Sequence, residues 1–191
     1  LLLNVGLTSC DSFLTETPQG ELTEANAFTS IKDAEALIIS CYDGIQKGHE
    51  EYYMRYYMIL ADCFADNAYS GGDDVDINNV FLRDLTPRNA VVMKSWKSLY
   101  GSIMRCNVAL KYIPQINDPL LDAEAFTGVS KREEMLGEAS FLRALHYFNL
   151  VKTWGCVPVV TTTGSTAPAD VQVPRADSEE EVYARIIEDL E

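Results

Sequence analysis

The spacing Asp74-x-Asp76-x-Asn78 puts three oxygen-bearing side chains at alternate positions, as the first half of a calcium loop does. The second half does not follow. Asn79 stands where such a loop needs Gly for its sharp turn, and Leu85 stands where a bidentate Glu closes the shell around the ion. The expectation is a solvated acidic loop without a metal. A second chemical signal is Leu7-Thr8-Ser9-Cys10, preceded by an apolar run and followed by a polar stretch containing Thr, Glu and Pro. This fits the bacterial lipobox, in which the Cys10 thiol is alkylated by diacylglycerol, the chain is cut before it and the new amine is acylated. Several acyl chains on one residue anchor firmly, because each buried methylene contributes about 0.8 kcal/mol. No run approaches the roughly 20 apolar residues of a membrane-spanning helix, so the expectation is a protein anchored to a membrane and not threaded through it.

The rest of the chain offers little reactive chemistry. Its 2 His are His49, beside Gly48, and His146, inside a helical pattern, where a satisfied core or surface histidine is expected. H-E-x-x-H, G-x-S-x-G and a Gly-rich phosphate loop do not occur. Carboxylates are abundant, but none stands in an apolar setting that would retune it for acid–base work. Cys41, Cys63, Cys106 and Cys156 lack C-x-x-C spacing. The first three read as small buried hydrophobes, and sequence leaves any disulfide unassigned. The expectation is a binding protein, not an enzyme, with no cofactor. The 15 Lys and Arg against 29 Asp and Glu give a net charge of −14, which argues against charge-driven binding to nucleic acid or to an anionic membrane surface. A hydrophobic share of 47% is that of a folded domain and not of a disordered chain.

The elements that would position these residues read as helices. The clearest spans 131–154. Ser130 and Glu133 form a capping-box pair before it, Gly155 supplies a left-handed end, and Pro158 prevents resumption. Met135, Ala139, Leu142, Leu145 and Asn149 share one stripe, with Phe141, Ala144, Phe148 and Val151 on the next. A face that wide needs at least two helical neighbours, and Gly137, Ala139 and Ala144 would let them approach closely. Ser30 with Asp33 opens a helix carrying Ala34, Leu37, Ile38, Cys41, Tyr42 and Ile45. Tyr53, Tyr56, Tyr57, Leu60, Cys63 and Phe64 have helical spacing over 52–66. Asn89 or Thr86 opens a third long helix that runs to Tyr112 and stops at Pro114. The last, over 179–190, is opened by Ser178 with Glu181 as capping-box partner and has Tyr183, Ile186, Ile187 and Leu190 on its apolar face.

These helices are expected to pair in order, 30–45 with 52–66 and 91–112 with 131–154. The fold class is therefore all-α, with tetratricopeptide-like helix pairs and long inserted loops. Residues 67–89 form the longest excursion, and long excursions in compact domains are often functional. Residues 1–9 read as a signal-peptide remnant, and 10–28 as the lipidated Cys and its tether. Residues 29–191 read as an N-terminal helical-repeat domain truncated at its C-terminus, because the last apolar face needs something to pack on.

Three stretches carry a family resemblance. Cys10-Asp11-x-Phe13-Leu14 followed by Pro18 resembles the mature start of SusD/RagB family lipoproteins. Trp96-x-x-Leu99-Tyr100-x-x-Ile103-x-x-Cys106-Asn107 resembles a helix of that family. Glu138-Ala139-x-Phe141-Leu142-Arg143-Ala144-Leu145-x-Tyr147-Phe148-x-Leu150-Val151, with Trp154-Gly155-x-Val157-Pro158, resembles its most recognisable signature. The resemblance implies an outward-facing outer-membrane lipoprotein that sits on a SusC-like TonB-dependent transporter and captures glycans or other nutrients. It also implies that the 131–154 helix is scaffold, so that Arg143 and Tyr147 hold no ligand. Within the 67–89 excursion, Tyr69 is then the candidate to stack on a sugar, and Asp73, Asp74, Asp76, Asn78 and Arg83 the candidates to bond its hydroxyls. A loop that touches only the transporter or solvent is the competing reading. The second functional reading is an anchored helical-repeat scaffold for protein–protein interaction without a small ligand.

Overall fold

In the computed structural model the described residues are 27–46, 48, 51–126, 128–163 and 173–191. Cys10, the signal remnant, most of the tether and His49 lie outside them. Among the described residues the chain forms α1 (Ile31–Gln46), a π-helical stretch (Tyr52–Tyr56 and Ile59–Cys63), α2 (Val75–Phe81), α3 (Ala90–Tyr112), α4 (Lys131–Trp154) and α5 (Glu179–Leu190). The all-α expectation holds, and no strand occurs among these residues beyond one isolated bridge between Glu124 and Ser130.

The local signals at α4 operate as the sequence suggests. Ser130 accepts the Glu133 N–H, the Glu133 carboxylate accepts the Ser130 N–H at 2.9 Å, and Gly155 has φ of 65°. Asn89 caps α3 by accepting from Val91 and Val92. At α5 the expectation fails. The Ser178 side chain makes no cap bond, and Glu181 instead accepts the Asp177 N–H at 3.0 Å.

The expected pairing of 91–112 with 131–154 holds as α3 with α4, but that of 30–45 with 52–66 does not. α1 lies antiparallel to α3, α3 to α4, and α4 to α5, whereas α1 makes only a minor contact with the π-helical stretch. The close approach is not at Gly137, which faces open space, but at Gly44, where an added Cβ would come within 2.9 Å of the Ser102 Cβ. α3 and α4 run through two apolar clusters. One gathers α1 with Cys106, Ala109, Ile113, Met135, Ala139 and Leu142. The other gathers the π-helical tyrosines and α5 around Leu99, Ile103, Tyr147, Leu150 and Val157. α4 has three helical neighbours, yet Phe141 and Phe148 point outward, at 54% and 40% exposure. Their places inside are taken by Arg143, His146 and Asn149.

Arg143 and Asn149 among these are matched. Arg143 donates to both carboxylate oxygens of Asp189, at 2.8 and 2.6 Å, and to Asn107 Oδ1 at 2.8 Å. Arg185 also pairs with Asp189. Asp189 is thus a buried carboxylate that the sequence pattern does not reveal. It orients α5, whose inward face is Val182, Ile186 and Asp189, while Tyr183, Ile187 and Leu190 stay partly or largely exposed. Asn107 Nδ2 and Tyr147 Oη both donate to the Val160 carbonyl, and Tyr100 Oη donates to that of Pro158, so the chain leaving α4 is strapped back over α3.

The π-helical stretch replaces the single helix expected over 52–66. Its Tyr57 N–H reaches back to the Tyr52 carbonyl, five residues away, which admits an extra residue into the turn. That register turns adjacent Tyr52 and Tyr53 both toward α4. Asn149 Nδ2 donates to Tyr53 Oη at 3.1 Å, and Tyr53 Oη lies 2.8 Å from His146 Nδ1. His146 Nε2 is buried and has no partner among the described residues. Burial, with a smaller contribution from Arg105, pushes His146 from its ordinary 6.5 down to about 4.

Two expected outcomes follow from these buried groups. Asp189→Ala leaves the Arg143 charge buried and paired only with Asn107, and urea unfolding should show a loss of about 3–5 kcal/mol; joint replacement of Arg143 and Asp189 by Met and Leu should recover most of it. For His146, the unfolded chain binds a proton below 6.5 and the folded chain only below about 4. Between these values the unfolded state holds more protons, so stability falls as pH falls through the window, by about 3 kcal/mol. His146→Gln should remove that share of the pH dependence when unfolding is measured from pH 7 to pH 4.

Candidate ligand-binding site

The 67–89 excursion is not an open loop. Asp74 Oδ1 accepts from the Asp76 and Ile77 N–H groups, which makes Asp74 the cap of α2, a short helix that the sequence reading missed. Its carboxylate also pairs with Arg55 of the π-helical stretch at 3.5 Å. The calcium-like spacing is therefore the spacing of a helix start. Asn78, inside α2, accepts from Ser70 Oγ at 2.6 Å and donates to the Gly72 carbonyl at 3.2 Å, fastening the Gly71-Gly72 turn onto the helix. Asn89 Nδ2 donates to the Asp76 carbonyl at 2.8 Å and ties the far end of the excursion to α3.

Arg83 closes the base. Arg83 and Asp66 are non-glycine residues with φ near +60°, each ending a helical segment. Their side chains meet at 2.5 Å, and Arg83 Nε donates to the Phe64 carbonyl at 3.3 Å. Of the six candidates named from the sequence, Asp74, Asn78 and Arg83 thus hold the excursion together. Tyr69, Asp73 and Asp76 are left to offer their side chains outward. Tyr69 is 77% exposed yet fixed edge-on against Phe81, with ring centroids 5.3 Å apart. It stands beside a recess of about 150 Å³ lined by Ser70, Gly71, Gly72, Asp74, Ile77 and Asn78. Asp73 is exposed and Asp76 half-buried, and the carboxylate of neither has a partner among the described residues. An aromatic face beside acceptor oxygens can stack on an apolar ring face and accept hydrogen bonds from hydroxyls.

The last residues of the excursion line a larger groove that the sequence reading did not anticipate. Leu85, Thr86 and Pro87 face Val92, Met93 and Trp96 of α3, with Trp154 closing α4 and Arg175 at the rim, around about 550 Å³. Trp96 and Trp154 meet edge to face at 5.5 Å. Arg175 is held there by donating to the Cys156 carbonyl at 3.0 Å. Leu60, Leu85 and Thr153 also line a second recess of about 300 Å³, beside Tyr57, Phe64 and Lys152. Lys152 Nζ lies 4.4 Å from the Phe148 ring centroid and 5.7 Å from that of Tyr57. The signal for the groove was present in Trp96 and Trp154, but helical spacing reads both as packing residues. Among the described residues no group of three or more His, Cys, Asp or Glu could hold a metal ion, and no helix is long and apolar enough to cross a membrane.

A family profile described as "Starch-binding associating with outer membrane", of SusD-like proteins, matches residues 12–191. A SusD-like protein of Formosa agariphila is 29% identical over 192 residues, covering all of this chain and 35% of the relative. A SusD-like protein of Bacteroides ovatus is 23% identical over 180 residues, covering 94% and 30%. Among solved structures, a laminarin-binding SusD-like protein superposes with a TM-score of 0.66 at 24% identity, covering 85% of this chain and 33% of the other, which shows a shared fold. A SusD superfamily protein of Parabacteroides distasonis superposes with a TM-score of 0.65 at 25% identity, covering 88% and 33%. The chain spans about a third of the length of these relatives. With a profile matched over nearly its whole length and the helical layout of these structures, the chain belongs to the SusD-like family of starch-binding proteins associated with the outer membrane.

Proposed function

We propose that this chain supplies part of the binding surface of a cell-surface lipoprotein that captures glycans for uptake through a partner TonB-dependent transporter of the outer membrane. The observation that carries the reading is Tyr69, an aromatic ring left largely in solvent and packed edge-on against Phe81, with the unpaired carboxylates of Asp73 and Asp76 a few residues on in the same excursion. Folding alone does not call for a ring so placed, whereas a sugar does: its apolar face stacks on the ring while its hydroxyls donate to Asp73 and Asp76. Asp74, Asn78 and Arg83 support that surface from behind. The description of the family as starch-binding supports the ligand class, and the laminarin-binding relative is a glycan binder of the same fold. The chemistry is capture and not catalysis.

Calorimetry of the mature protein against a panel of neutral and anionic polysaccharides tests the reading. At least one glycan should bind, and Tyr69→Ala should weaken it about 10-fold, the loss of one stacking anchor. Binding to no glycan, together with stable capture of several proteins other than a transporter, would point to a protein scaffold instead. Lipid attachment at Cys10 has its own outcome: Cys10→Ala should move the protein from the membrane fraction to the soluble one, and continued membrane retention would refute the anchor.

A further inference from the structure

Two of the described cysteines face each other across α1 and α3. Cys41 and Cys106 are both fully buried in the same apolar cluster, where α1 packs on α3. One turn along the same crossing, Gly44 meets Ser102. Ser102 Oγ reaches the Gly44 carbonyl at 3.5 Å, and a Cβ on Gly44 would lie 2.9 Å from the Ser102 Cβ. The two backbones are thus as close as helices with small residues at the contact allow. A disulfide needs that closeness, since its Cα atoms must lie within about 4.4–6.8 Å of each other. The other described cysteines do not compete. Cys63 belongs to the other cluster, and Cys156 follows α4. The family associates with the outer membrane, so its members pass through the periplasm, where paired thiols oxidise.

We infer that Cys41 and Cys106, which are thiols in this structure, are joined by a disulfide in the exported protein. The acceptor of electrons is the disulfide of a thiol–disulfide oxidoreductase. The thiolate of one cysteine attacks that disulfide, forming a mixed disulfide and releasing one enzyme thiol. The second cysteine then attacks the protein sulfur of the mixed disulfide, forming the Cys41–Cys106 bond and releasing the second enzyme thiol. Two electrons and two protons pass from the cysteine pair to the enzyme. Because both thiols are sealed in the folded core, the exchange takes place before α1 closes on α3. The loop so closed contains the π-helical stretch, α2 and the whole 67–89 excursion. The bond would therefore fasten both ends of the segment that carries the candidate binding surface.

The experiment is peptide mapping of the protein purified from the membrane of its own cells, denatured in an alkylating agent without reductant. A linked pair of peptides containing Cys41 and Cys106 is expected, and it should separate into two alkylated peptides only after reduction. Reductant should also lower the melting temperature by about 10 °C, and the melting temperature of the C41A/C106A double variant should not respond to it. Full alkylation of both cysteines without reduction would overturn the inference, as would a link from either one to Cys63 or Cys156. Glycan affinity is a separate readout, so its loss or survival does not bear on the disulfide.

Discussion

A guanidinium cannot be left unpaired between helices, because its desolvation costs more than any single contact returns. Arg143 sits near the middle of α4, inside the bundle, and its charge is met by Asp189 of α5 and Asn107 of α3. That single requirement joins three helices. It selects the face that α5 turns inward, since Asp189 must reach Arg143 while Val182 and Ile186 fill the apolar cluster around it. It also engages Asn107, whose amide nitrogen then holds the Val160 carbonyl and keeps the outgoing chain against α3. The two apolar clusters supply the bulk of the driving force, and the buried polar groups decide which helix meets which.

The same division of labour governs the excursion. Asp74, Asn78, Arg83 and Asn89 spend their hydrogen-bonding capacity on α2, the Gly71-Gly72 turn and the neighbouring helix ends. Held in this way, the short α2 ends on Phe81, and Tyr69 packs edge-on against that ring. A polar residue in a loop is not thereby a ligand residue. Those that face outward with nothing to do in the fold are the informative ones, and here they are fewer than composition suggests. The groove beside Trp96 and Trp154 shows the converse, for residues that read as packing groups leave part of their surface uncovered among the described residues.

The amino-acid sequence by itself determined the helices with strong local signals. The capping box at Ser130, the left-handed Gly155 and the Asn89 cap are decided within a few residues, where short-range hydrogen bonds satisfy the first and last backbone groups of a helix. The family was legible for the same reason, because two of its three motifs lie along α3 and along α4 and its end, and need no knowledge of their partners. Only the tertiary structure decided the rest. Arg143, His146 and Asn149 are polar letters that periodicity assigns no special place, and burial became tolerable only once Asp189, Tyr53 and Tyr52 arrived from distant positions. Phe141 and Phe148 gave way to them and turned outward. The pairing of α1 with α3 rests on Gly44 meeting Ser102, a contact between residues 58 apart. The calcium-like spacing at Asp74 was resolved as a helix cap by the two backbone N–H groups it accepts. Local pattern settles where a helix begins and ends, but which buried charge finds its counter-charge is settled only when the whole chain is packed.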